Sequence, residues 1–144
     1  MTAIGSDHAG YALKLEIIKY LESIGVGFTD FGCYGNESID YPVYAKAACE
    51  AILDGRCENG ILICNTGSGM TMAANRFKGI RAALCHSETT AAAARDHNNA
   101  NILVMGASVV DAELAAKIIK TFFETGFSNA ERHIRRNNML DEIC

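Results

Sequence analysis

The chain has 144 residues and a mass of 15.5 kDa, and its 13 basic and 17 acidic side chains leave a formal charge of −4. That length fits a single domain over residues 1–144 with one sizeable core, and the acidic balance excludes a general polyanion binder, so no nucleic-acid partner is expected. With 49% hydrophobic residues and one proline, Pro42, disordered, collagen-like and Pro-rich classes are excluded too.

Residues 2–5 read as a first strand. From residue 10 to 23, Leu13, Ile17, Leu21 and Ile24 recur at helical spacing, with Lys14, Lys19 and Glu22 assigned to other faces. Gly25 supplies the stop. Residues 26–31 read as a second strand. Asp40 and Pro42 mark a helix start, as cap and first-turn residue, for a helix that ends near Asp54-Gly55. Gly60-Ile61-Leu62-Ile63-Cys64 is a continuous apolar run, the pattern of a central parallel strand buried on both faces. A glycine turn and a short helix over about 70–76 follow, and residues 81–85 and 102–106 give a fourth and a fifth strand. Ser87 caps the Ala-rich helix between them. Asp111 caps a helix with Leu114, Ala115, Ile118, Ile119, Phe122 and Phe123 on one face, and residues from about 129 to 143 form a last helix. Strands alternating with helices predict an α/β fold with a five-stranded parallel sheet between two helical layers.

The six cysteines, at 33, 49, 57, 64, 85 and 144, contain no C-x-x-C spacing, and no H-E-x-x-H pair is present, so no metal site is expected. The chain does not open on a basic segment followed by an apolar one, and it has no run of 18 apolar residues. The expectation is a reduced cytoplasmic protein with no membrane partner, most of its cysteines small core residues.

In parallel α/β sheets, ligands sit outside the carboxyl ends of the strands. The loops there hold Ser6-Asp7-His8, Cys64 to Gly69, and His86, while His97-Asn98 ends the following helix. Gly67 and Gly69 allow a tight turn that presents N–H groups, and a helix start follows, a setting that stabilises an oxyanion and favours a thiolate on Cys64. A base beside an oxyanion site is what proton abstraction next to a carbonyl requires. The plainer reading is a core cysteine followed by a glycine turn. No P-loop or complete G-x-G-x-x-G is present, which weakens a nucleotide reading. Asp7-His8 reads either as hydroxyl and phosphate contacts or as a helix cap beside a surface histidine. His97 reads either as a catalytic group or as a charge-matched helix end. Arg132 and Arg136 are four apart, so a helix puts them on one face, fit to grip a phosphate or simply to face solvent.

Together these motifs resemble the ribose-5-phosphate isomerase B family of sugar-phosphate isomerases, which includes the galactose-6-phosphate isomerase subunits. The resemblance runs nearly end to end, through Gly5-Ser6-Asp7-His8-Ala9-Gly10, Asp40-Tyr41-Pro42, Gly60 to Gly69, Ala73-Ala74-Asn75-Arg76, Gly79-Ile80-Arg81-Ala82, His97-Asn98-Asn99-Ala100-Asn101 and Arg132-His133. It implies a Rossmann-like three-layer sandwich with an extra C-terminal helix. It also implies a cofactor-free aldose–ketose isomerase acting on a phosphorylated sugar, with ribose 5-phosphate first and allose 6-phosphate or galactose 6-phosphate second. By the same resemblance, Cys64 is the base that moves a proton between C1 and C2, and the N–H groups of Gly67, Ser68 and Gly69 hold the enediolate. His97 opens the sugar ring with help from Thr66, Asn98 contacts the reacting oxygens, and Asp7 binds hydroxyls. His8, Arg132 and Arg136 grip the phosphate. Members pair as homodimers or dimers of dimers with shared sites, His97 and Asn98 reaching in from the neighbouring subunit.

Three positions depart from the family pattern: Asn65 where many relatives have Gly, Glu131 where Gly-Gly often precedes the arginine, and Ser108 where some relatives carry an arginine. Two other functions compete with catalysis. One is a non-catalytic sugar-phosphate or nucleotide-binding module. The other is a thiol redox sensor on Cys64, which has no resolving cysteine nearby in sequence and would need one close in space, such as Cys85.

Overall fold

The apolar run at residues 60–64 lies at the middle of the sheet. A computed structural model, in which residues 1–143 are described, shows β1 (Thr2–Ser6), β2 (Phe28–Asp30), β3 (Asn59–Cys64), β4 (Ala82–Leu84) and β5 (Ile102–Gly106). They form one parallel sheet in the order β2-β1-β3-β5-β4. β3 has a strand on each side and side chains buried on both faces, which is why it reads as uninterrupted hydrophobic sequence. β2 and β4 are three-residue edge strands, shorter than the stretches 26–31 and 81–85 that the sequence suggests.

Among the described residues six helices accompany the sheet: α1 (Tyr11–Ser23), α2 (Tyr41–Leu53), α3 (Ser68–Ala74), α4 (Glu88–Asp96), α5 (Ala112–Glu124) and α6 (Glu131–Ile143). The strand period of two divides the core into two layers. Ile4, Ile61, Ile63, Leu103 and Met105 pack with α1, α4 and α5, and Ala3, Leu62, Cys64, Ile102 and Val104 pack with α2 and α3. Cys64 and Cys85 fall in opposite layers, so the two do not form a redox pair across one face. Burial also pushes the Cys85 thiol up to about 11, and it donates to a backbone carbonyl.

The caps follow local chemistry. Val26 N–H bonds to the Leu21 carbonyl and Gly25 N–H to the Glu22 carbonyl, with Gly25 at φ 71°, a Schellman end to α1. Asp111 accepts the Leu114 N–H, and Ser87 and Thr90 form a reciprocal capping box. Two further details differ from the sequence reading. Asp40 occupies the cap position of α2, but its side chain makes no cap hydrogen bond. Lys14 does not share a solvent face with Lys19 and Glu22, because it is fully buried. Its spacing of three and seven from Ile17 and Leu21 places it on the apolar stripe of α1.

Candidate active site

Cys64 ends β3 and is 5% exposed, its side chain in the α2–α3 layer. The chain turns at once. Gly67 adopts a left-handed conformation at φ 85°, where a Cβ would also run into Leu84, and α3 starts at Ser68, two residues earlier than the sequence pattern implies. The turn brings the Gly67 N–H to 3.2 Å from Cys64 Sγ. The nest thus aims a backbone donor at the sulfur. The Ser68 N–H points at Thr66 Oγ1, 3.4 Å away. The end of β5 supports the nest from the side: Ala107 N–H holds the Cys64 carbonyl, and Ser108 offers both its N–H and its hydroxyl to the Asn65 carbonyl at 2.9 and 2.8 Å. His86 Nε2 accepts the Gly106 N–H at 3.1 Å, a bracing contact at the same strand end.

β1 brings Asp7 and His8 to this edge. Its register pairs Ser6 with Ile63, and Asp7 N–H donates to the Ile63 carbonyl, so Asp7 stands beside the Cys64 level. Asp7 is 7% exposed, and its Oδ1 accepts the Gly10 N–H at 2.9 Å, so part of this carboxylate is committed to the turn into α1. His8 Nδ1 accepts the Ile39 N–H at 3.2 Å. In that tautomer Nε2 carries the proton and is the nitrogen that can donate. The carboxyl edge therefore gathers Asp7, His8, Cys64, Thr66, Gly67, Ser68 and Gly69.

His97, Asn98, Arg132 and Arg136 lie elsewhere. α4 runs back against the strand direction, so its end meets the amino edge: Asn101 N–H bonds to the Arg81 carbonyl ahead of β4, and Gly60 N–H to the Asn101 carbonyl. β5 alone separates the two edges by roughly 16 Å at ~3.3 Å per residue. α6 docks on the same amino edge. The His133 ring stacks on His97 with centroids 4.7 Å apart, Asn137 Nδ2 donates to the His97 carbonyl, and Arg81 pairs with Asp141 at 2.8 Å. His97 Nε2 lies 3.2 Å from an Asp96 carboxylate oxygen, and its side chain is 52% exposed. Arg132 and Arg136 are exposed on α6. One chain thus holds two partial constellations, at opposite edges of its sheet.

Sequence reasoning did not single out His133, or the charge of Lys14, as parts of these sites. His133 is buried, bonds Ser128 Oγ through Nδ1 at 2.7 Å, and sits in the basic cluster whose arginines drew attention instead. For Lys14 the available signal is its spacing from Ile17 and Leu21 on the stripe of α1.

Residues 2–140 match the profile of the family described as Ribose/Galactose Isomerase. The ribose-5-phosphate isomerase B of Escherichia coli is 41% identical over 141 residues, covering 98% of this chain and 94% of that protein. The D-erythrulose-4-phosphate isomerase of Pectobacterium atrosepticum is 42% identical over 126 residues, covering 87% and 83%. The crystal structure of a ribose 5-phosphate isomerase from Thermotoga maritima superposes with a TM-score of 0.96 at 49% identity, covering 98% of this chain and 97% of that one. A cysteine in a backbone nest at the end of the central strand and a histidine beside a basic helix at the other edge thus occur in a chain whose whole length aligns with sugar-phosphate isomerases: the chain belongs to the ribose/galactose isomerase family.

Proposed function

We propose that the protein is an aldose–ketose isomerase interconverting ribose 5-phosphate and ribulose 5-phosphate, with each active site built from two copies of the chain. The observation that carries the reading is the Gly67 N–H on Cys64 Sγ inside a family of sugar-phosphate isomerases. In the open-chain aldose the Cys64 thiolate takes the proton from C2, and the C–H electrons move into the C1–C2 bond as the carbonyl oxygen gains negative charge. The N–H groups at the start of α3 stabilise that charge, a contribution worth about 2.7–4 kcal/mol per donor in comparable sites. The O2 proton passes to O1, the C2 carbonyl forms as the C1–C2 double-bond electrons take the proton back from Cys64 at C1, and the ketose and the thiolate are left. Gly67 N–H is directed at the sulfur and Ser68 N–H at Thr66 Oγ1, which leaves Gly69 N–H as the first donor for the enediolate oxygen, with Ser68 N–H joining only if it turns from Thr66.

Ring opening needs an acid at the ring oxygen. His97 takes that role from the second copy, because within one chain it lies a strand length from Cys64. Arg132 and Arg136 share an edge with His97, so they arrive with it and meet His8 around the phosphate, while Asn98 and Asp7 bind the sugar oxygens. Ser108 is committed to the Asn65 carbonyl, so the cations of the phosphate site come from α6.

The test is ketose formation from ribose 5-phosphate by purified protein with a chelator present, alongside erythrose 4-phosphate, allose 6-phosphate and galactose 6-phosphate. The five-carbon substrate is expected to show the highest kcat/KM. No turnover of any of the four overturns the isomerase reading, and a higher kcat/KM on another chain length moves the assignment to it.

A further inference from the structure

The reaction leaves one buried charge without a role. Lys14 has no exposed surface, and its ammonium donates to both Asp30 oxygens, at 2.7 and 2.9 Å, and to the Cys33 carbonyl. The Tyr11 and Tyr34 rings lie over it, with centroids 5.5 and 5.1 Å from the nitrogen. An apolar side chain could fill such a space without the desolvation of a cation. The charge is therefore best explained by what it holds.

It holds the segment that leads from β2 toward the site. Asp30 Oδ1 also accepts the Gly32 N–H at 2.9 Å, and the Tyr34 hydroxyl donates to the Asp30 carbonyl at 2.9 Å. Cys33 N–H donates to the Ser6 carbonyl at 2.7 Å, just before Asp7 and His8. Beyond this anchor, residues 36–38 are exposed. The segment then returns to the site, where Ile39 N–H donates to His8 Nδ1 and the Tyr41 ring lies against Gly69, 2.7 Å from where a Cβ would be.

We infer that Lys14 is a positioning residue for substrate recognition: by pinning residues 30–34 it keeps the Ile39 N–H on His8 Nδ1, so that His8 presents Nε2–H to the anionic end of the substrate. Lys14 itself touches no substrate. The inference rests on the reading of His8 as a substrate contact.

The test is the double variant Lys14→Met with Asp30→Asn, which removes both charges while the amide oxygen introduced at position 30 can still accept the Gly32 N–H. Its KM for ribose 5-phosphate is expected to rise about tenfold, the loss of one good contact, with kcat falling less than about threefold. In nitrogen-detected NMR of labelled protein, wild-type His8 is expected to show the single Nε2–H tautomer, and the double variant a mixture of both. A folded double variant with wild-type KM and wild-type His8 nitrogen shifts overturns the proposal, as does a loss confined to kcat. If the double variant does not fold, Tyr34→Ala loosens the same anchor from an exposed position. It should raise KM by about two- to threefold with the same change at His8, and wild-type values in both readouts overturn the proposal. Wild-type turnover tests the isomerase reading and the His8 tautomer tests the clamp, so the two fail separately.

Discussion

The two edges of the sheet are built to different standards. At the carboxyl edge the reactive groups are buried and tied down: Cys64 is 5% exposed with a backbone donor on its sulfur, and Asp7 is 7% exposed with an oxygen committed to a turn. At the amino edge His97 is half exposed, and Arg132 and Arg136 stand in solvent. The difference matches the two tasks proposed for these edges. Enediolate chemistry needs donors fixed before the charge develops, whereas a phosphate grip can be assembled from long charged side chains when a second surface arrives.

The largest effect expected from this division is seen by mixing inactive proteins. Cys64→Ala removes the proposed base and should lose at least ~10²-fold in kcat. His97→Ala should lose turnover on ring-closed substrate while sparing a substrate that cannot cyclise. If each site takes one edge from each of two copies, mixing the variants under conditions of subunit exchange yields hybrids with one intact site, and about a quarter of wild-type activity returns. A mixture as inactive as its parts, with exchange demonstrated, breaks the two-edge arrangement.

The next effect sharpens the description of the carboxyl edge. Gly67→Ala places a methyl group against Leu84 at φ 85°, a conformation that costs a non-glycine residue about 1–2 kcal/mol. The strain falls on the peptide that donates to Cys64, so kcat should drop by ~10-fold or more, with little change in KM. Adding Leu84→Ala removes the clash but not the φ penalty, and should restore only part of the rate. Full recovery in the double variant would mean that contact, rather than backbone conformation, sets the geometry of the nest.

Much of this was legible in the sequence, for identifiable reasons. The central strand announced itself because burial on both faces leaves a strand no polar positions, and Gly25, Ser87 and Asp111 terminate or cap helices by chemistry confined to a few residues. The cysteine–glycine turn was legible because only glycine takes φ 85° without strain. The separation of His97 from Cys64 follows from α4 running against the strands, and the resemblance had already assigned His97 and Asn98 to a neighbouring subunit. That α6, which carries Arg132 and Arg136, docks beside His97 was not legible, because nothing local in a basic helix says which edge it covers. Lys14 was misplaced for a different reason: lysine is so seldom buried that its residue type outweighed its position on the stripe. Only the tertiary partners, Asp30 and the Cys33 carbonyl, show why it is inside.

The smallest effect concerns what keeps the amino edge in order. His133 is buried under His97, and its desolvation, with Arg132, His97 and Arg136 adding to it and Asp96 opposing, holds its pKa below the ordinary histidine value of about 6.5. A histidine that binds a proton less readily folded than unfolded makes stability rise with pH, because the unfolded chain carries more protons over that interval. The contribution is complete above the unfolded pKa and is lost as pH falls from there toward the lower folded value. Wild-type Tm should therefore decline between pH 7 and 5, and His133→Gln should show a shallower decline from a lower starting Tm. Hydrogen exchange should locate the acid-sensitive opening in α6 and the end of α4, with residues 64–69 protected as at neutral pH. Equal slopes for the two proteins, or acid-induced exchange beginning at residues 64–69, would remove His133 from its place as the keystone of that edge.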